Sequence, residues 1–142
     1  MKWIVAIAFS LLVGTGFAQS KDNNLLLGGT IQDAEGGQVK HASIRVTSAA
    51  GDFYTVMANN NGSFEFTVPF DMVCDVSFFA KKHQPKSIVL DTRNVPTDEQ
   101  EWGYEFSGFI VDLVEEKQPK LPEVVGRIFY DAPSQNFMTE KL

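Results

Sequence analysis

Two histidines, one cysteine, three consecutive asparagines and an aromatic pair in an acidic loop are the side chains of this 142-residue chain from which a reaction or a binding site could be built. His41 and His83 could act as general bases or metal ligands. Neither stands in the His-x-x-x-His or His-Glu-x-x-His spacing that brings two ligands to one helix face, and both read as surface histidines beside turns. Cys74 is the only cysteine, so no internal disulfide can form and stability must come from packing. Nothing near it in sequence would lower its pKa. It reads as a small buried apolar side chain rather than a reactive thiol. No Gly-x-Ser-x-Gly elbow and no phosphate-cradling glycine loop occurs beyond the N-terminal segment. The chain is therefore expected not to be an enzyme and to carry no cofactor.

Asn59, Asn60 and Asn61, with Asp52, could gather oxygens around a calcium ion. Tight calcium sites need several carboxylates, however, and asparagines followed by glycine are ordinary turn chemistry, so no metal is expected. Trp102 and Tyr104 offer a different chemistry. Aromatic faces on a loop can stack on sugars or seat a partner chain, and Arg93 at the start of the same loop adds a cation. Arg93, Trp102 and Tyr104 form the candidate binding loop, although folding of the two aromatics back over the end of the core as a lid is the favoured reading.

The elements that must position these residues read as strands. The stretch Ala58–Val68 places an Asn-rich turn before strict alternation, with Phe64, Phe66 and Val68 on one face and Ser63, Glu65 and Thr67 on the other, a hairpin signal. Around it come a strand at Leu25–Asp33 with a glycine bulge or close backbone approach, others at His41–Thr47 and Phe53–Met57, then Met72–Ala80 and Ser87–Asp91. Phe109–Val114 closes the series. Turns recur about every ten residues and no helical period is evident, which indicates an all-β sandwich. Thr92–Glu105 is the longest irregular stretch, and ordered loops of that length are often functional.

Lys2 precedes an apolar run, Trp3–Val13, and small residues up to Ala18 complete a secretory signal, expected to be cut after residue 18. The run falls short of the ~20 residues that span a bilayer, so no stable membrane insertion is expected. Gln19 follows the cut where a lipoprotein would carry cysteine. Cleavage moves the net charge from −6 to −7 and leaves no basic block, which argues against nucleic acid and anionic membranes as partners. The remaining length suits one domain. Its sandwich is expected over 25–115, with a linker and C-terminal apolar segment over 116–142. Within the latter, Val124, Ile128, Phe129 and Tyr130 belong to an apolar island that either adds a strand or is kept for a partner. Asn136–Leu142 is expected to fray.

In this order the motifs resemble the carboxypeptidase regulatory-like domain family. Gly29–Gly36 is similar to its opening G-x-[VI]-x-D-x-x-G, His41–Val46 to its x-A-x-[VI]-x-V strand, and Asn59–Phe66 to its T-[DN]-x-[DN]-G-x-F-x-[FI] hairpin. Asp91–Pro96 and Gly103–Phe106 are similar to stretches of small exported members from Bacteroidetes-type bacteria. The resemblance spans Leu27–Val114. It departs at Lys81-Lys82-His83, which lacks the glycine of the family's Lys-x-Gly turn. The resemblance implies a transthyretin-like, Greek-key sandwich of about seven strands, usually non-catalytic, that helps the folding, display or contacts of larger envelope proteins. An exported interaction or assembly module, periplasmic or extracellular, with an envelope protein as partner, is the expectation. A small-ligand or glycan-binding module using the 93–104 loop is the alternative.

Overall fold

Alternation of apolar and polar residues settles which face of each strand is buried, and the strands then have little choice but to stack as two sheets. The computed structural model describes residues 22–142, so the signal expected over 1–18 lies outside the described residues. The strands are β1 (Asn24–Asp33), β2 (Ser43–Ser48), β3 (Phe53–Met57), β4 (Ser63–Pro69), β5 (Val73–Phe79), β6 (Lys86–Asp91), β7 (Tyr104–Leu113), β8 (Glu123–Asp131) and β9 (Asn136–Lys141). A single helical turn, α1 (Thr97–Gln100), interrupts them between β6 and β7. The protein is an all-β sandwich. A three-stranded sheet, β4-β1-β7, packs on a six-stranded one, β3-β2-β5-β6-β8-β9. Both sheets are mixed, because β1 pairs with β7 and β6 with β8 in parallel while all other pairs are antiparallel.

The described chain thus has nine strands where the resemblance implies about seven, and the difference lies at the C-terminal end. Residues 123–131 add β8 alongside β6, and residues 136–141, expected to fray, form the outermost strand β9. Ile128, Tyr130 and Phe137 are buried in the same core as Leu25, Phe66, Val76 and Leu90. Each such side chain contributes about 1.5–3 kcal/mol by leaving water. The segment after 115 is therefore not an appendage. It completes the larger sheet.

β7 also starts earlier than its continuous apolar run suggests, at Tyr104 rather than Phe109. While β1 advances from Leu27 to Gly29, β7 advances from Phe106 to Phe109. The extra residue is accommodated next to Gly108, whose φ of +78° suits glycine. This bulge resets the alternation, so that Tyr104 and Phe106 before it and Phe109, Val111 and Leu113 after it all pack on the core. A sequence reading that demands unbroken alternation loses the first half of the strand.

The Asn-rich hairpin closes as expected. Asn59 Oδ1 accepts from the backbone N–H of Asn61 (3.2 Å) and Ser63 (2.9 Å), and Asn61 Oδ1 accepts from Ser63 N–H (3.2 Å). These asparagine oxygens are engaged in the turn itself. Tyr54 O–H then donates across the sandwich to Thr67 O at 3.0 Å, tying β3 to β4.

Candidate functional site

The loop between β6 and β7 is the place where the structure concentrates polar side chains, and its local order begins at the end of β6. Thr92 is fully buried. Its hydroxyl donates to Pro69 O (2.8 Å) and accepts from Met72 N–H (3.2 Å), while its own N–H reaches Met72 O at 2.8 Å. The β4–β5 turn and the start of the loop are thereby stitched together. One residue earlier, Asp91 is only 4% exposed, although it is a carboxylate. A buried charge needs partners, and Asp91 has several. Arg93 donates Nε to Oδ1 (3.0 Å), Nη2 to Oδ2 (2.9 Å) and its backbone N–H to Oδ1 (3.0 Å). Arg127 on β8 places Nη2 3.5 Å from Oδ2 and extends Nη1 to Glu140 Oε2 on β9 at 3.1 Å. Its guanidinium also lies over the Phe129 ring at 4.3 Å. The hydrogen bonds from Arg93, helped by Arg127, hold the Asp91 carboxyl below its ordinary value despite its burial.

Further along, Pro96 opens the helical turn and accepts from Glu99 and Gln100 N–H, both at 3.0 Å. Gln100 turns its amide back to Val95 O at 2.9 Å. Glu99 Oε1 receives the hydroxyl of Tyr104 on β7 and that of Tyr130 on β8, the latter at 3.3 Å. The two tyrosine rings meet edge to face at 5.6 Å, and Phe137 packs against both at 5.5 and 5.6 Å. Burial first, and then the bond to Glu99, pushes the Tyr104 phenol far above its usual pKa. Its hydroxyl ties β7 to the loop through Glu99.

The two regions singled out separately in the sequence are thus brought together. Arg93 meets Arg127 through Asp91, and Tyr104 meets Tyr130 through Glu99. Trp102 does not join them. It is 75% exposed at the tip of the braced loop, so the expected lid is half present, formed by Tyr104 without Trp102. Of the apolar island, Ile128 and Tyr130 face the core, while Val124 is exposed and Phe129 lies on the outer face under Arg127. Sequence reasoning missed Asp91, Thr92 and Glu99 as organisers. An acid immediately before a Thr-Arg pair at a strand end was the available signal for the first of them, and for Glu99 there was none, since its partners are distant in sequence.

Cys74 and the histidines do not converge. Cys74 is buried between the sheets and its thiol is pushed up to about 12, by burial first and by the charges of Asp75 and Asp91 second. At neutral pH it is an inert thiol. His83 Nδ1 donates to Lys81 O at 2.8 Å in the β5–β6 turn, where the backbone pairs with Glu115. His41 is exposed in a turn with φ of +59°. Among the described residues no group of three or more His, Cys, Asp or Glu side chains is placed to hold a metal ion.

No protein-family model matches the chain, and no curated protein matches it. Solved structures do. Two single-residue mutants of catechol 1,2-dioxygenase from Acinetobacter radioresistens are similar to it, each at 13% identity with a TM-score of 0.50, covering 71% of this chain and 55% of theirs. The dioxygenase domain of a dioxygenase carbohydrate-binding protein fusion from Streptomyces sp. SirexAA-E is similar at 12% identity and a TM-score of 0.46, covering 68% of this chain and 84% of that one. The chain spans about half the length of the Acinetobacter enzymes. At 13% identity the likeness to the Acinetobacter enzymes is one of fold alone.

Proposed function

We propose that this chain is an exported, non-enzymatic β-sandwich that serves as an interaction or assembly module in the bacterial cell envelope, presenting the 93–104 loop to a partner protein. The observation that carries the reading is the exposure of Trp102, 75%, on a loop tied down on both sides by Asp91–Arg93 and Glu99–Tyr104. An exposed tryptophan on a preorganised loop loses little entropy on binding and brings a large contact area, the character of an interface hot spot. The sequence supports the rest. The apolar run Trp3–Val13, followed by small residues up to Ala18, favours export, and the order of the four motifs favours the carboxypeptidase regulatory-like domain family, whose members are usually accessory domains.

Crosslinking in envelope extract, run in parallel with the natural chain and Trp102→Ala, tests the proposal. Recovery of one specific protein by the natural chain, lost with Trp102→Ala, is the expected result. Equal recovery by both, or none by either, would overturn it. The same exposed ring favours a second reading, a small-ligand or glycan module. Once residues 1–18 are removed, Trp102 is the only tryptophan, so a shift in its fluorescence against a glycan panel would favour that reading and a flat titration would remove it.

A further inference from the structure

Four of the described strands border the two sheets, and three of them are marked against further pairing. β4 carries Glu65 at mid-strand and ends in Pro69, β7 carries Glu105, Asp112 and the bulge at Gly108, and β9 ends in Glu140 and Lys141. Charges, proline and bulges are the devices by which a sheet edge refuses another strand. β3, Phe-Tyr-Thr-Val-Met, has none of them. Among the described strands it pairs with β2 alone.

The hydrogen bonds that frame β3 fix which of its backbone groups are open. Ala58 N–H donates to Ala42 O at 3.0 Å and Ser48 N–H to Asp52 O at 2.8 Å, both in register with the β2–β3 ladder. Antiparallel pairs alternate between bonded and non-bonded positions. Tyr54 and Val56 therefore bond to β2, while the N–H and C=O groups of Phe53, Thr55 and Met57 point to the open side. The side chains of the same three residues are exposed, Phe53 by 60% and Met57 by 62%. Arg45 of β2 lies over the Phe53 ring at 5.1 Å and the Phe79 ring at 5.5 Å, so the cation covers Phe53 from the β2 side.

We propose that two copies of the chain join through β3, antiparallel about a two-fold axis at Thr55, so that their larger sheets become one continuous sheet. In that register Phe53 lies opposite Met57 of the second copy, and the two Thr55 residues face each other. Every outward N–H and C=O of these residues then finds a partner. Shifting the register by two residues unpairs one end, and shifting it by one sets open groups against groups already bonded to β2. The strand is thus its own complement, with thioether on aromatic ring and threonine on threonine as cross-strand neighbours. The nearest charges stay apart. Across the axis the two Arg45 side chains are separated by three strand spacings, about 14 Å, and the two Asp52 by about 20 Å along the strand, both beyond the screening length of about 8 Å. Glu65, alternating with Phe64 and Phe66, lies on the outer face of the other sheet. A neutral edge holds no charge by which a basic or acidic segment would be selected, whereas the chain's own strand matches it in both hydrogen bonds and side chains. The contact is short, so the dimer is weak and concentration-dependent. It does not depend on the role proposed for Trp102.

Sedimentation velocity on the chain from residue 19 onward, run from micromolar to millimolar concentration, measures the association. The expected result is a monomer–dimer equilibrium. Amide exchange should slow at Phe53, Thr55 and Met57 as concentration rises, while Tyr54 and Val56, already bonded to β2, change little. Thr55→Lys and Thr55→Glu each set like charges opposite each other on the axis and should each weaken the dimer by about tenfold or more. Mixing the two variants should restore it as a heterodimer, because opposite charges then meet, a recovery that damage to the fold could not produce. Melting curves of each variant establish that it is folded. A chain that stays monomeric at millimolar concentration, a dimer that both substitutions leave intact, or a mixture no stronger than either variant alone would overturn the proposal. So would protection confined to β7 or β9, which would put the contact on another edge.

Discussion

Tyr104 and Tyr130 approach edge to face at 5.6 Å and both donate their hydroxyls to the same oxygen of Glu99. One tyrosine belongs to the smaller sheet, the other to the larger, and the carboxylate belongs to the loop between them. A hydrogen bond to a charged acceptor is worth about 1.5–3 kcal/mol when well formed, and the longer bond from Tyr130 should sit at the lower end. Tyr130→Phe keeps the ring packing and removes that bond alone. It is expected to cost about 1–2 kcal/mol in urea unfolding and to speed amide exchange in residues 93–103 while leaving β2 and β5 unchanged. An unaltered loop with the same loss of stability would place the role of Tyr130 in the core rather than in bracing the loop.

Removing residues 116–142 gives a sharper result. The deletion takes Ile128, Tyr130 and Phe137 out of the core and uncovers Ile88 and Leu90. At about 1.5–3 kcal/mol for each lost side chain, the total is roughly 5–9 kcal/mol, comparable with the whole stability of an ordinary domain of 5–15 kcal/mol. The truncated chain is expected to lose its cooperative thermal transition and to bind hydrophobic dyes. A sharp transition retained near the natural temperature would mean that β8 and β9 only dock on a complete sandwich.

What could be read in advance depended on how local its cause was. Phe64, Phe66 and Val68 alternate, and Asn59 begins the turn before them, so β4 and its hairpin followed from neighbours within a few positions. Phe106 and Phe109 are three apart, and only the Gly108 bulge makes them share a face, so β7 was seen from Phe109 onward. The island around Ile128 announced itself by composition. Its destination, parallel to β6, depends on an edge that β6 offers only after folding, and β9 follows because β8 then offers another. The site shows the same division. Trp102 and Tyr104 were visible by residue type, but their opposite fates were decided by Glu99 and Tyr130, the latter 31 residues from Glu99. Local rules hold no term for such a contact.

The Asp91 carboxyl sets a pH dependence. Its ordinary value is 3.8, and the hydrogen bonds from Arg93 and Arg127 lower it in the folded state. The ionised form is thus favoured by folding. Its contribution is present in full above the unfolded value and is lost as pH falls from about 4 through the lower folded value. Asp91→Asn is expected to cost about 1–3 kcal/mol at pH 7, since charge-assisted bonds are lost and the β6 end remains buried. The difference in melting temperature between the natural chain and Asp91→Asn should then narrow progressively as pH falls below about 4. A difference constant across that range would show that Asp91 contributes through packing and not through its charge.

Gly29 is the position where the backbone leaves least room. A Cβ built there would lie 2.0 Å from Phe109 O and 2.9 Å from Phe109 C, with the Phe64 ring at 3.0 Å on the remaining side. The obstacle is the main chain of the strand paired in parallel with β1, so no rotamer change relieves it. β1 is the central strand of its sheet, and displacing β7 from it would also disturb Phe109 where it meets Phe78 and Phe106 at 6.2 Å. Gly29→Ala is therefore expected to cost more than about 3 kcal/mol or to prevent folding, the range reserved for core backbone clashes. Gly36→Ala is the control. Its φ is +84° with nothing within 4 Å of the added carbon, so it should show only the conformational cost of about 1–2 kcal/mol. Denaturant unfolding of the pair reads the difference, and equal losses at both sites would mean that β1 and β7 separate more readily than their contact distance implies.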